Sequence, residues 1–383
     1  MIVSKRIHKI SEYFFSKKMR EIQNLEKKGI QVINLGIGNP DLLPPNSVLH
    51  KMQESSKLKN ANTYQSYVGI EKLRNAISIW YKKTYQVDID PNNEVLPLMG
   101  SKEGIMHISM SYLDKGNQVL IPDPGYPTYS SVSKLLESKI IYYDLHEKGN
   151  WCPDIQLLNK KNLSKVKIMW INYPHMPTGA TISFENLEKI VFFAKKNHIL
   201  LVHDNPYSLL LTNEFPLSIF NIREARNVAL ELNSLSKSYN MAGWRVGMII
   251  GKKEFIQNII KVKSQMDSGM YYPIQIGAIE AMNQNSEWFE KLNQEYTRRR
   301  KIVWKICDHL RLEYKKKSSG IFVWSKITHL DKNDQKFSDR ILKDYHIFIT
   351  PGCVFGKNGK GYVRFSLCCS VNTLEKAKNR IIS

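Results

Sequence analysis

No apolar run in this chain reaches the roughly 18 residues that a membrane-spanning helix needs. The opening stretch MIVSKRIHKISEYFF breaks its apolar residues with charge and leads to no small-residue cleavage site, so no signal peptide is expected. Cysteine is scarce, with five in 383 residues. The number is odd and no pair has C-x-x-C spacing. A disulfide scaffold and a zinc site are therefore not expected, and a reducing, cytoplasmic compartment is. Acidic residues are also in short supply: 35 Asp and Glu face 56 Lys and Arg, a formal net charge of +21. Such a balance attracts polyanions. Yet the basic runs at 298–301 (RRRK) and 315–317 carry no interleaved aromatics on which bases could stack. No helix-turn-helix, RNA-recognition or zinc-finger pattern accompanies them. The excess charge reads as a solvated surface bias whose one specific use is to hold small anions. Repeats, low-complexity tracts and disordered linkers are absent as well.

What is present is ordinary for a water-soluble globular protein, 42% hydrophobic and 24% charged residues, on a chain long enough for two domains. From residue 94 onward, short apolar runs alternate with helical patterns. The runs are 94–99, 118–122, 139–145, 166–173, 199–204, 227–233 and 246–251. Residues 183–197 (SFENLEKIVFFAKKN) repeat their apolar positions at helical spacing behind a plausible N-cap, Ser183. Alternating strands and helices predict an α/β fold with a mostly parallel sheet flanked by helices. After residue 286 the pattern changes to one long helix and the runs 320–327, 346–352 and 361–367, which predict a smaller α+β domain. The expected division is a large domain at 46–286, with 1–45 and 287–383 forming the small one.

In open α/β sheets, ligands bind beyond the carboxyl ends of the strands. Four polar clusters follow strands directly: Gly100-Ser101-Lys102, Pro124-Gly125-Tyr126, Asp204-Asn205-Pro206-Tyr207 and Ser234-Leu235-Ser236-Lys237. Backbone N–H groups at a helix start, a hydroxyl and an ammonium make a phosphate cradle of Ser101 and Lys102, and Ser234 and Arg245 flank Lys237. Taken alone, Gly-Ser-Lys reads equally as a capped helix start. Asp204 needs a cationic partner if buried. A protonated pyridine nitrogen would supply one, with Tyr207 donating to a phenolate oxygen on the same ring; a turn cap is the other reading. Tyr126 either stacks on a flat cofactor or packs a turn. The convergence of all these groups with one lysine describes a site for pyridoxal 5′-phosphate, with Lys237 as the amine that meets its aldehyde.

At these residues the chain resembles the fold-type I, class I/II pyridoxal-phosphate aminotransferases. SLSKSYNMAGWRVG (234–247) is highly specific for them. NLGIGNPD (34–41), YQSYVGIEKLR (64–74), PDPGYPTY (122–129), HDNPY (203–207) and GYVRFSL (361–367) follow the family order. GSKEGIMH (100–107) and PDPGYPTY are most similar to LL-diaminopimelate aminotransferases. The resemblance implies that Lys237 is the Schiff-base lysine, Asp204 the partner of the ring nitrogen, Tyr207 the donor to the 3′ oxygen and Tyr126 the stacking ring. Ser101, Lys102, Ser234 and Arg245 match phosphate ligands. Arg364 matches the clamp on the substrate α-carboxylate, and Gly38 a backbone position beside it. Tyr64 resembles a tyrosine that reaches the neighbouring subunit's phosphate, which implies a homodimer. The implied activity is ping-pong transfer of an amino group to a keto acid such as 2-oxoglutarate. Other amino donors and a lyase acting at Cβ are the alternatives. The family pattern starting near residue 30 leaves no room for a DNA-binding domain, and neither a nucleic-acid nor a membrane partner is expected. One departure stands out: Met176 occupies the place of the usual asparagine in N-P-T-G, and methionine cannot donate a hydrogen bond to the 3′ oxygen.

Overall fold

The computed structural model describes residues 3–212, 214–328 and 333–383. Its centre is a seven-stranded sheet. The strands are β2 (Val95–Leu98), β3 (Gln118–Asp123), β4 (Lys139–Asp144), β5 (Val166–Asn172), β6 (Leu200–Asp204), β7 (Ala229–Ser234) and β8 (Gly247–Gly251). Their order across the sheet is β2-β8-β7-β6-β5-β3-β4. All neighbours are parallel except around β8, which runs antiparallel to both β2 and β7. Every predicted run in this region forms a strand, within two residues at either end. β2, β6, β7 and β8 are buried along their whole length, because helices cover both faces and apolar side chains are needed on each. The helix Phe184–Lys196 turns five apolar residues inward, and Ser183 caps it by accepting from the Asn186 N–H at 3.3 Å.

A smaller antiparallel sheet has the order β12 (Thr350–Pro351), β13 (Tyr362–Ser366), β10 (Phe322–Ile327), β9 (Leu312–Tyr314). The run at 346–352 is not one strand. It splits into β11 (Ile347–Phe348), which pairs in parallel with β1 (Ile33–Asn34), and β12, which pairs with β13. The long helix spans Ser286–His309. Its basic run is only partly a solvated surface. Arg299 is 1% exposed, donating to both Asp41 oxygens at 2.6 and 3.1 Å and to Glu295 at 2.8 Å. That guanidinium ties the helix to the N-terminal segment, where a carboxylate fork accepts it from two directions. No helix among the described residues is long and apolar enough to cross a membrane.

Candidate active site

β2, β3, β6 and β7 all point the same way, so the polar clusters after them share one end of the sheet. Antiparallel β8 starts at that end and so brings Arg245 there. Between this end and the smaller sheet lies a cavity of about 360 Å³. Gly38, Ser101, Lys102, Tyr126, Asp204, Tyr207, Ser234, Lys237, Arg245 and Arg364 all line it.

One corner is built to take an anion. The helix Ser101–Tyr112 begins here, offering its first N–H groups and the positive end of its dipole. Two glycines let the cradle close. A Cβ on Gly100, which sits at φ +89°, would lie 2.1 Å from Arg245 Nη2. One on Gly247 would lie 2.5 Å from the Ser101 nitrogen. Arg245 itself has φ +58°, a left-handed backbone uncommon for a side chain of this size. Its Nη1 donates to the Ala242 carbonyl at 3.0 Å. Ser234 Oγ donates to Ser236 Oγ at 2.9 Å. Ser236 also lines the cavity and belongs to the same hydroxyl-rich run, though the sequence singles out only Ser234.

Opposite the cradle, Asp204 ends β6 and is 6% exposed. Its Oδ2 accepts from the Tyr129 hydroxyl at 2.7 Å, and its Oδ1 has no hydrogen-bond partner among the described residues. Burial raises its pKa to about 6, against the opposing effects of the Tyr129 hydrogen bond and of His203. Tyr129 is held flat on Trp170, ring centroids 4.8 Å apart and 8° from parallel. No sequence signal separates it from an ordinary core tyrosine on a short helix. Asn172, which ends β5, donates to the Asp204 carbonyl at 2.7 Å and accepts from the Met176 N–H at 2.8 Å. It lines the cavity too.

Lys237 sits on a single helical turn, Leu235–Ser238, after β7, and its ammonium donates to the Gly38 carbonyl. Burial lowers its pKa from the ordinary 10.5 to about 8, and the positive charges of Arg364 and Arg245 act in the same direction. Arg364, on β13, is 4% exposed. Its Nη2 donates to the Gly36 carbonyl at 2.7 Å and its Nη1 to Met176 Sδ at 3.2 Å, while Nε has no partner among the described residues. The ionisable groups around it are Tyr207, Tyr13, Cys368 and Tyr126, none of them a carboxylate, and burial pulls its pKa down to about 10. Met176 thus faces Arg364 with a weak thioether acceptor.

Tyr64 is not brought to the cavity: it is 91% exposed. Residues 268–273 do not line it either. These two segments pack together instead, with Gly269 against the Gln65 backbone and Gln275 accepting from the Ile70 N–H at 2.8 Å. Tyr13 and Phe15, from the N-terminal segment, form part of the cavity wall, and no motif in that segment marks them for it. The donor set fits a flat phosphorylated ring with a basic nitrogen: an anion cradle at one corner, an unpartnered buried carboxylate oxygen, and a buried primary amine of lowered pKa.

A sequence model of the family "Aminotransferase class I and II" matches residues 30–381. The chain belongs to this family. It is an aminotransferase with the fold-type I architecture, and its cofactor is pyridoxal 5′-phosphate. It is 36% identical to the LL-diaminopimelate aminotransferase of Aquifex aeolicus over 379 residues, 99% of this chain and 98% of that one. It is 35% identical to the enzyme of the same name from Halothermothrix orenii, over 98% of this chain and 97% of that one. Among solved structures, substrate-bound BacF from Bacillus subtilis superposes with a TM-score of 0.94 at 32% identity, covering 100% of this aminotransferase and 97% of BacF.

Proposed function

We propose that this aminotransferase takes the amino group of LL-diaminopimelate and passes it to a keto acid such as 2-oxoglutarate in a ping-pong cycle. The observation that carries the reading is the convergence of Lys237, Asp204, Arg364 and the Ser101–Arg245 cradle on one cavity. The names of the relatives from Aquifex aeolicus and Halothermothrix orenii support the choice of donor. When bound, pyridoxal phosphate supplies an aldehyde that exchanges with amines and a ring that accepts the electron pair left at the substrate Cα. Ser101, Lys102, Ser234 and Arg245 would hold its phosphate with a further hydroxyl from Ser236, Tyr126 would pack on the ring, Tyr207 would donate to its phenolic oxygen, and Asp204 would keep the ring nitrogen protonated.

Lys237 would hold the cofactor's aldehyde and, as a neutral amine, would serve as the base for the proton on the donor's Cα. Its lowered pKa puts a large fraction of the neutral amine in place near pH 8. Arg364 fixes the α-carboxylate beside Gly38, which aligns the Cα–H bond. Residues 46–286 act as the large domain, and 1–45 with 287–383 as the small one. The exposed aromatic surface of Tyr64, Tyr67 and Tyr271 supports a homodimer in which Tyr64 reaches the partner's phosphate. The proposed setting is the cytoplasm, with neither a nucleic-acid nor a membrane partner.

Tyr129 is assigned as a positioning residue for Asp204. Tyr129→Phe keeps the Trp170 stack and removes the hydroxyl. A hydrogen bond to a charged group is worth about 1.5–3 kcal/mol, so kcat is expected to fall about tenfold or more. Losing that donor raises the Asp204 pKa, so the acidic limb of the pH–rate profile moves to higher pH. An unchanged acidic limb would remove the assignment.

The function itself is tested by incubating the cofactor-loaded protein with LL-diaminopimelate and no acceptor, and then adding 2-oxoglutarate. Conversion of the cofactor to its amine form, followed by glutamate release, is the expected result. Turnover of another donor with none of LL-diaminopimelate would overturn the donor assignment. Release of ammonia with a keto acid from one substrate would replace aminotransfer with elimination.

A further inference from the structure

The ring that would cover the cofactor and the clamp for the substrate come from different sheets. Tyr126 follows β3 of the seven-stranded sheet, and Arg364 lies on β13 of the smaller one. One loop, residues 352–359, touches both. Within it, the Phe355 ring centre lies 4.7 Å from the Arg364 guanidinium carbon. The Phe355 carbonyl accepts from the Gly125 N–H at 2.8 Å, one residue before Tyr126. Tyr126, Phe355 and Arg364 all line the cavity.

The loop is gripped from two sides by buried carboxylates. Toward the smaller sheet, Asp334 begins the helix Asp334–Tyr345 and accepts from the Cys353 N–H at 2.7 Å and the Gly361 N–H at 3.3 Å. Toward the larger sheet, Asp123 is the last residue of β3. It accepts from the Lys357 N–H at 3.0 Å and the Asn358 N–H at 2.9 Å. The Asn358 amide in turn donates to the Asp123 carbonyl at 3.2 Å and to Asp144 Oδ1 at 2.6 Å. Gly356 admits this approach, since a Cβ there would lie 2.1 Å from Asp123 Oδ1. Asp123 and Asp334 are each 5% exposed. A buried carboxylate is costly unless it is hydrogen-bonded, and bonds to its charge are the strong ones. Asp123 does not line the cavity, so its carboxylate acts through the loop.

We infer that Asp123 is a positioning residue for the reaction. By holding residues 355–358 against the end of β3, it fixes the gap between Tyr126 and Arg364 and with it the fit of the substrate α-carboxylate. This rests on the proposed function of the same cavity and adds to it a residue outside the cavity wall. Once the loop is released, Phe355 and Arg364 can draw back from Tyr126. An arriving carboxylate must then bring them together again. Apparent affinity falls by the fraction of molecules in which the gap is already set. At saturation the gap is closed, so the loss falls on half-saturation and not on the limiting rate.

The test is the half-reaction of the cofactor-loaded protein with glutamate and with LL-diaminopimelate in separate experiments, followed by the cofactor's absorbance. Glutamate is the amino product of the proposed acceptor, so the outcome does not depend on the donor assignment. Wild type, Asp123→Asn and Asn358→Ala are compared. Asp123→Asn keeps the shape but sets an amide N–H₂ against one of the loop's N–H groups. The amino-acid concentration at half-saturation should rise about tenfold or more, the scale of a lost hydrogen bond to a charged group. The limiting rate should stay within about twofold of wild type. Asn358→Ala keeps every backbone donor and guards against misfolding of the first variant. It should raise half-saturation about threefold, as loss of a neutral donor does. Hydrogen exchange needs no turnover: amides in 355–360 should exchange faster in both variants, and those of the peptide containing Lys237 should not. Half-saturation unmoved in both variants overturns the inference. So does a lower limiting rate with half-saturation unchanged, the mark of plain destabilisation. Either result leaves the proposed function standing. If neither amino acid converts the wild-type cofactor, the proposed donor and acceptor both fail and this inference falls with them.

Discussion

Lys237→Ala protein is expected to fold, to take up pyridoxal phosphate weakly if at all, and to transaminate about 10⁴-fold more slowly than wild type, the upper end of what a positioned acid–base group contributes. Folding should survive because the side chain's hydrogen-bond acceptor is a single backbone carbonyl, that of Gly38. Removing a buried amine also relieves the desolvation that lowers its pKa to about 8. The same shift sets a pH dependence for wild type. Only the neutral amine attacks an aldehyde, so the rate at which cofactor-free protein captures pyridoxal phosphate should rise with pH to a midpoint near 8 and level off above it. An unburied lysine would place that midpoint near its ordinary 10.5. Stopped-flow absorbance across pH 6–10 reads it directly. A variant that kept wild-type turnover would end the role of Lys237.

Arg364→Met separates function from stability. The guanidinium is buried among three aromatic rings, with no carboxylate among the ionisable groups around it. A charge held in that way costs folding free energy that a bound carboxylate offsets. Methionine has similar length and no charge. The Gly36 carbonyl, which Arg364 Nη2 now occupies, keeps the Thr350 hydroxyl at 2.8 Å. Truncating one side of a buried charge pair costs about 2–5 kcal/mol of binding, so kcat/KM for α-amino acids should fall about 30- to 4,000-fold. The unfolding free energy of the cofactor-free protein should change by less than about 1 kcal/mol, because relief of desolvation balances the lost cation–π contacts. Urea titration checks the second figure. A loss of about 3–5 kcal/mol would mean that Arg364 is an ordinary structural ion-pair partner.

The central sheet was legible because strands covered on both faces must be apolar throughout and are bounded by polar turns. Hydropathy carries no direction, however. The reversal of β8, which delivers Arg245 to the site, left no trace in the sequence. Nor did the split of 346–352 into two strands serving different sheets, since pairing partners lie more than 300 residues away for β11 and close by for β12. Among site residues, those that follow strands directly could be read, because the carboxyl ends of parallel strands share one end of the sheet. Tyr129, one helical turn further on, could not, and neither could Tyr13 and Phe15, whose place depends on how the N-terminal segment folds back. Arg299 misled in the opposite sense: it sits in a run of four basic residues yet is buried by Asp41, 258 positions away.

The most direct measurement is borohydride reduction of the cofactor-loaded protein followed by proteolysis and mass mapping. The account predicts a single reduced phosphopyridoxyl group, located on the peptide that contains Lys237. A group on a different lysine, or coloured protein that yields no modified peptide at all, would contradict it.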